Sequence, residues 1–279
     1  MQDLPYYSFK HRDYTIEGYS RGAVQTYWRI PEFHLGFDLG AQPWSFMGTP
    51  NWIISHSHMD HLAALPQYVT RRRMMKMTPP TIYLPSEAKA PAEQLLFQWQ
   101  RLDRGRLPCT LVPIDPDMEI AISRNVLVKT FPAKHSIDNS MAFIVYQVKT
   151  KLKPEYLDLP GEQIRDLRLS GAEISYEVRT PIVAFTGDSR PDVLTSHPDF
   201  LSAQVLIAEM TFISLEHPLT TIHKFGHSDL ADFVALKDQF KNEVVIASHF
   251  STRYSEKQIE RQVDKYLPGR LGGRLKLFM

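Results

Sequence analysis

Asn51-Trp-Ile-Ile-Ser-His56-Ser-His58-Met-Asp60-His61 decides how this chain is read. Its first five residues form a short apolar run, as a buried strand would. Leu62 to Val69 then has the spacing of a helix opening. Between them four ligand-type side chains fall within six residues, on a tight strand-to-helix turn where they can converge on one point. Imidazole nitrogens and a carboxylate suit Zn²⁺, with Mn²⁺ or Fe²⁺ as substitutes. The pattern H-x-H-x-D-H offers His56 and His58 to one ion, and Asp60 with His61 to a second.

Working outward, four more chemically able residues sit at the ends of predicted strands. His135 follows Val126 to Phe131, and Asp188 follows Ile182 to Gly187. Glu209 ends Val205 to Ala208, and His249 follows Val244 to Ser248. Taken singly each has an ordinary explanation, since an Asp in Thr-Gly-Asp-Ser is commonly a turn residue. Taken together they complete a set. His56, His58 and His135 would hold one ion, Asp60, His61 and His249 the other, with Asp188 bridging. Two ions so placed acidify a shared water and polarise a phosphoryl or carbonyl oxygen.

The remaining sequence bounds the answer. The chain has 279 residues, 43% hydrophobic and 23% charged, with a net charge of +1. That is ordinary composition for a folded chain, with no global bias toward nucleic acid or membrane. Cys109 is the single cysteine, which excludes an intrachain disulfide and thiolate zinc clusters. No apolar run approaches membrane-spanning length and no signal-type segment opens the chain. A cytoplasmic protein is expected. Mixed strands followed by helices occur twice along the chain, which predicts an α/β four-layer αββα sandwich with two sheets face to face. One domain over 1–279 is expected, with 151–171, broken by Pro154, Pro160-Gly161 and Gly171, as an excursion from it. Ser86 is expected to cap a helix over Ser86 to Leu102, and Ser228 one over Asp229 to Phe240. Arg71 to Arg73 with Lys76 reads as a solvated helix end rather than a phosphate patch. The four tryptophans read as core.

The order H-x-H-x-D-H, His135, Asp188, His249 resembles the metallo-β-lactamase superfamily. Three further strings are similar to its RNase Z branch, the tRNA 3′-processing endonucleases: Ala208-Glu-Met-Thr-Phe212, Phe225-Gly-His-Ser228 and Ser248-His-Phe-Ser-Thr-Arg-Tyr254. The resemblance implies the metallo-β-lactamase fold, two divalent ions (Zn, or Mn or Fe) and a phosphodiesterase mechanism. His227 would donate to a phosphate oxygen or the leaving alkoxide, and Glu209 would orient it. Asp60 would assist the attacking water, and Arg253 and Ser228 would contact phosphate. A homodimer is implied as well. The chain departs from that branch in two places. The interval from His135 to Asp188 is short and lacks a P-G-P tip, so 151–171 reads as a remnant of the branch's tRNA-gripping arm. The N-terminal P-x-x-x-R-N loop is replaced by Gly18 to Thr26. The substrate therefore stands as an RNA 3′ end or a small phosphodiester. The alternatives are a metal-dependent ester, thioester or lactone hydrolase and, on a different footing, a non-catalytic binding protein. The pair Glu209 and His227 favours the phosphodiesterase, because acyl hydrolysis has no evident need of it.

Overall fold

The computed structural model describes residues 3–213 and 219–279. Its first half lays down β1 (Tyr7–His11), β2 (Tyr14–Arg21), β3 (Gln25–Ile30), β4 (Leu35–Leu39), β5 (Asn51–Ile53), β6 (Thr81–Pro85) and β7 (Thr110–Ile114), which follow one another in that order across a seven-stranded sheet. Helices α1 (Met59–Leu62), α2 (Leu65–Met74) and α3 (Ser86–Asp103) connect the later strands. The second half runs β8 (Glu119–Ser123), β9 (Val126–Pro132), β10 (Met141–Leu152), α4 (Gly161–Leu169), β11 (Ser175–Phe185), α5 (Asp192–Ser196), β12 (Val205–Glu209), α6 (Leu219–Lys224), α7 (Leu230–Leu236), β13 (Val244–Ser248), α8 (Glu256–Tyr266) and β14 (Leu275–Leu277). Its strands form a second seven-stranded sheet ordered β14 to β8.

Both sheets change character at the same place. β1 to β4 pair antiparallel, and β4 to β7 pair parallel. β8 to β11 pair antiparallel, and β11 to β14 parallel. Parallel neighbours need crossovers that cover a sheet face, so each sheet gains helices on its outer side. Three apolar layers follow. Phe37, Ile53, Val128, Phe143, Val183 and Ile246 pack between the sheets. Leu65, Tyr68 and Leu96 close the outer face of the first, and Val193, Phe233 and Ile259 that of the second. Phe37 stacks on Phe185 at 5.1 Å and on Phe143 at 6.0 Å, which fixes one sheet over the other. The expected αββα sandwich is the observed one.

Several local expectations are corrected. β10 and β11 run on as a paired arm from Phe143 opposite Phe185 out to Leu152 opposite Ser175, with α4 beyond its end, where an irregular segment was expected. The alternation there is too polar to mark a buried strand. Ser86 is the first helical residue rather than the cap, and its hydroxyl donates to Asp115. Asp229, not Ser228, caps α7, which stops at Leu236. Trp28 and Trp52 are core, but Trp44 and Trp99 are 49% and 46% exposed. Arg72 is buried, donating to the carbonyls of Met47, Thr49 and Thr78. Its neighbours are engaged too: Arg73 pairs with Asp103 at 3.2 Å, and Arg71 lies 5.7 Å over the Trp44 ring. The expected solvated end is therefore corrected at Arg72, while Lys76 is exposed as expected. No helix among the described residues is long and apolar enough to cross a membrane.

Candidate metal centre

The ligand-type residues gather where the parallel strands of both sheets end, the usual place for a ligand in such sheets. The turn after β5 carries His56 and His58, and α1 carries Asp60 and His61 in its first turns. His135 leaves β9, Asp188 follows β11, Glu209 ends β12, and His249 follows β13. Close backbone contacts hold these turns together. Gly40 lies so near the Asp60 carbonyl that a Cβ would come within 1.7 Å of it, and a Cβ on Gly226, at φ +75°, would meet His135 Cα at 2.4 Å. His249 itself takes a left-handed φ of 61°. Such strain in a non-glycine residue persists where surrounding contacts enforce it, and it concentrates at functional sites.

Two clusters result. His56, His58, His135 and Asp188 present ligand atoms within 4.8 Å of one another, and so do Asp60, His61 and His249; Asp188, His227 and His249 form a third grouping that overlaps these two clusters. Asp188 stands between them, with Oδ1 3.4 Å from His61 Nε2 and Oδ2 3.2 Å from His249 Nε2. The donor set suits a divalent cation for two observable reasons. His58 Nδ1 lies 3.0 Å from His56 Nε2 and 3.1 Å from His135 Nε2, and one proton cannot serve both contacts. The buried Nε2 atoms of His61 and His249 have no hydrogen-bond partner among the described residues. A cation relieves both conditions at once.

The opposite ring nitrogens are held by the protein. His56 Nδ1 meets Ser55 Oγ at 3.0 Å, His135 Nδ1 the Gly226 carbonyl at 2.9 Å, and His249 Nδ1 Thr211 Oγ1 at 2.9 Å. His61 Nδ1 meets Asp38 Oδ2 at 2.8 Å. Partners of this kind fix the ring and aim its other nitrogen inward. Asp60 accepts from the Ala23 amide at 2.9 Å, on the turn between β2 and β3. Asp38 is the residue that sequence reasoning missed. A lone carboxylate inside the apolar run Leu35-Gly-Phe-Asp-Leu39 was the available signal, since a fully buried acid needs a purpose.

Burial and crowding by His61 hold His56 well below its usual pKa, and burial with His135 lowers His58. Burial also opposes charge on His61, but Asp188 and Asp38 on either side win and hold it well above the usual range. Asp188 would be raised by burial, yet His249 and His61 bring it well below. His56 and His58 are thus favoured in the neutral form a metal ligand needs, and Asp188 in the charged form.

Beside the clusters, His227 Nδ1 lies 3.1 and 3.2 Å from the two Glu209 oxygens. Glu209 is itself pinned by the Ser189 amide at 2.6 Å and by the Thr211 hydroxyl. Burial lowers the His227 pKa, but the Glu209 charge and hydrogen bond outweigh it and push it up to about 9. Ser228 is buried, with its hydroxyl donating to Ser189 O at 2.9 Å. The start of α7 is already taken by the chain's own Asp229, whose carboxylate accepts from the Ala231 amide. Arg253 is exposed, and its guanidinium has no hydrogen-bond or ion-pair partner among the described residues. His223 pairs with Asp232 at 3.1 Å, and His217 lies outside the described residues.

No family model matches the chain. It is 38% identical over 247 residues to tRNase Z TRZ1 of Arabidopsis thaliana, covering 88% of each chain. Among solved structures, the metallo-β-lactamase fold protein YhfI of Bacillus subtilis matches at a TM-score of 0.53 and 12% identity, over 95% of this chain and 88% of that one. The short form of human tRNase Z matches at 0.51 and 16% identity, over 88% and 90%. The two structures establish the fold, and the plant relative, similar along most of both lengths, carries the assignment: the chain belongs to the tRNase Z (ribonuclease Z) family, metal-dependent hydrolases of the metallo-β-lactamase fold.

Proposed function

We propose that this protein is an endoribonuclease that cuts a phosphodiester bond near the 3′ end of a tRNA precursor. The observation that carries the reading is the Glu209–His227 pair beside the His/Asp clusters. In the proposed site, His56, His58, His135 and Asp188 hold one divalent ion, and Asp60, His61, His249 and the shared Asp188 a second, both Zn²⁺ by ligand type. Bound there, such ions supply Lewis acidity toward a phosphoryl oxygen and acidify water.

The chain's own groups do the rest. Asp60, anchored by the Ala23 amide, accepts the proton of the attacking water. His227 keeps Nδ1 on Glu209, which leaves Nε2 to donate a proton to the 3′ oxygen as its bond to phosphorus breaks. Glu209 keeps that imidazole charged in the resting state and fixes its tautomer. Arg253, exposed nearby in sequence to His249, is proposed to contact substrate phosphate. Acyl hydrolysis has no evident need of such a pair, which is why the pair favours phosphodiester cleavage.

The chain is read as one domain, with the β10–β11 arm as a shortened version of the branch's tRNA-gripping arm. Between Lys149 and Arg179 the arm carries six basic and six acidic residues, so it offers no net field toward phosphate. Grip by shape follows from that reading. A homodimer is proposed from the family, and a reducing compartment such as the cytoplasm suits a chain with one cysteine.

The test is incubation of the Zn²⁺- or Mn²⁺-loaded protein with a 3′-extended tRNA precursor, beside Asp60→Ala. Cleavage at the trailer junction that the variant loses supports the reading. No cleavage by protein shown to hold two ions per chain sends the substrate to small phosphodiesters.

A further inference from the structure

A cavity of about 410 Å³ opens directly beside the metal centre, between α1, the first half of α3 and the loop before β10. That lies within the roughly 300–1,000 Å³ of small-ligand pockets. One wall is His56 and Ser57, so whatever fills the cavity touches the same turn that supplies the ligands. The other walls are apolar: Leu62, Ala88, Pro91 and Ile137.

Its charged groups are acceptors, set across from the Ser57 hydroxyl on the metal-side wall. Glu87 and Asp138 stand at the lining, exposed, and neither makes a hydrogen bond or ion pair with a described residue. Pro91 lies inside α3 and has no N–H, so the Glu87 carbonyl loses the helical donor it would otherwise have four residues on. Two carboxylates at an apolar slot repel phosphate and favour a flat group that brings N–H donors.

From this geometry we infer that the cavity is a nucleobase subsite, which takes the base of a nucleotide flanking the scissile phosphate and prefers bases with an exocyclic amine. The inference rests on the reading of the centre as an RNA-cutting site and adds a recognition element to it. Cytosine and adenine present amino donors to Glu87 and Asp138, whereas uracil presents carbonyl oxygens beside its single N–H. Single-stranded RNA ends are read in this manner, by bases splayed into pockets and bonded along their edges. The phosphodiester chain would pass the metal ligands while the base turns away behind Ser57.

The experiment uses metal-loaded protein and 3′-extended tRNA precursors carrying cytidine, uridine or an abasic residue at either nucleotide flanking the cut. Wild type, Ala88→Trp, which fills the slot, and Glu87→Gln/Asp138→Asn are compared for KM and kcat. At one of the two positions, removing the base should raise the wild-type KM about tenfold, the size of a hydrogen bond to a charged group. The same removal should cost Ala88→Trp nothing further. Cytidine should be favoured over uridine there, and the double variant should erase the preference. Independent, multiplicative effects of base removal and Ala88→Trp at both positions overturn the subsite while leaving RNA cleavage intact. A wild type that holds its metal yet cuts none of these RNAs overturns the RNA reading and the subsite with it. Thermal midpoint and bound metal report whether Ala88→Trp has folded, and if it has not, the exposed carboxylate pair decides through the cytidine preference alone.

Discussion

Asp38 accepts a hydrogen bond from His61 Nδ1 at 2.8 Å while the same carboxylate takes the Ser55 amide at 2.7 Å and the Ser55 hydroxyl at 2.9 Å. One buried acid therefore ties the strand β4, the ligand turn and the first helix into a single unit, and it aims His61 Nε2 at Asp188. Its own φ of 57° shows that the backbone bends to put it there. Asp38→Asn keeps the shape and removes the charge. The expected result is about a tenfold to hundredfold loss of metal affinity, the usual cost of losing such a partner. The loss should be confined to the ion held by His61, Asp60 and His249. Titration calorimetry with Zn²⁺ shows it as one weakened step of two; two unchanged steps would refute the role.

The Glu209–His227 pair predicts a pH profile. The pKa of His227 is raised, to about 9, so its protonated form is fully present at neutral pH and is lost as pH rises through that value. Activity that needs the imidazolium should fall on the alkaline side. In Glu209→Gln the carboxylate that raises it most is gone, leaving burial and His61 to lower the pKa against Asp188. The alkaline fall of kcat should move down by about one unit or more. A profile that keeps its position in the variant would show that His227 is not the titrating acid.

Arg72 predicts a stability effect separable from activity. It donates to the carbonyls of Met47, Thr49 and Thr78 from a buried position on α2. Arg72→Ala leaves those acceptors unpaired and should cost about 2–4 kcal/mol of unfolding free energy. Arg71→Ala, where the side chain lies over the exposed Trp44, should stay within about 0.5 kcal/mol. Urea unfolding of the two variants checks the contrast. Equal effects would mean that the run acts as a charge patch after all.

Cys109 sits half-buried just before β7, and burial pushes its thiol up to about 11. At pH 8 only about one thiol in a thousand is then the reactive thiolate. Alkylation by iodoacetamide should be slow in the folded protein and should accelerate sharply in denaturant. Fast modification of the native protein would contradict the assigned burial.

How much was legible beforehand varies by element. The turn His56 to His61 announced itself because four ligand-type residues are spaced more closely than chance allows, and the strand ends carrying His135, Asp188 and His249 followed from apolar runs that stop at a polar residue. The outer part of the arm, where Gln147 to Leu152 pairs with Ser175 to Thr180, was not legible, since its strands are largely exposed and too polar to mark a buried strand. Arg72 was not legible either: three consecutive arginines look alike in sequence, and only the position of Met47, Thr49 and Thr78 around one of them decides which is buried. Trp44 and Trp99 misled for the converse reason, because a large apolar side chain does not report which face of its element is covered.

The sequence by itself determined the chemistry available to this protein, because ligand type, strand-end position and turn spacing are local properties written along the chain. What only the tertiary structure decided is which groups face one another across the chain. Asp38 reaches His61 from 23 positions away, and Glu209 reaches His227 from 18. Ala23 reaches Asp60 from 37 positions away, and the cavity between α1 and α3 opens beside His56. Those relations depend on two sheets stacking with their parallel strand ends at one edge, and a stack is set by the packing of side chains such as Phe37 and Phe185, which no local stretch of sequence contains.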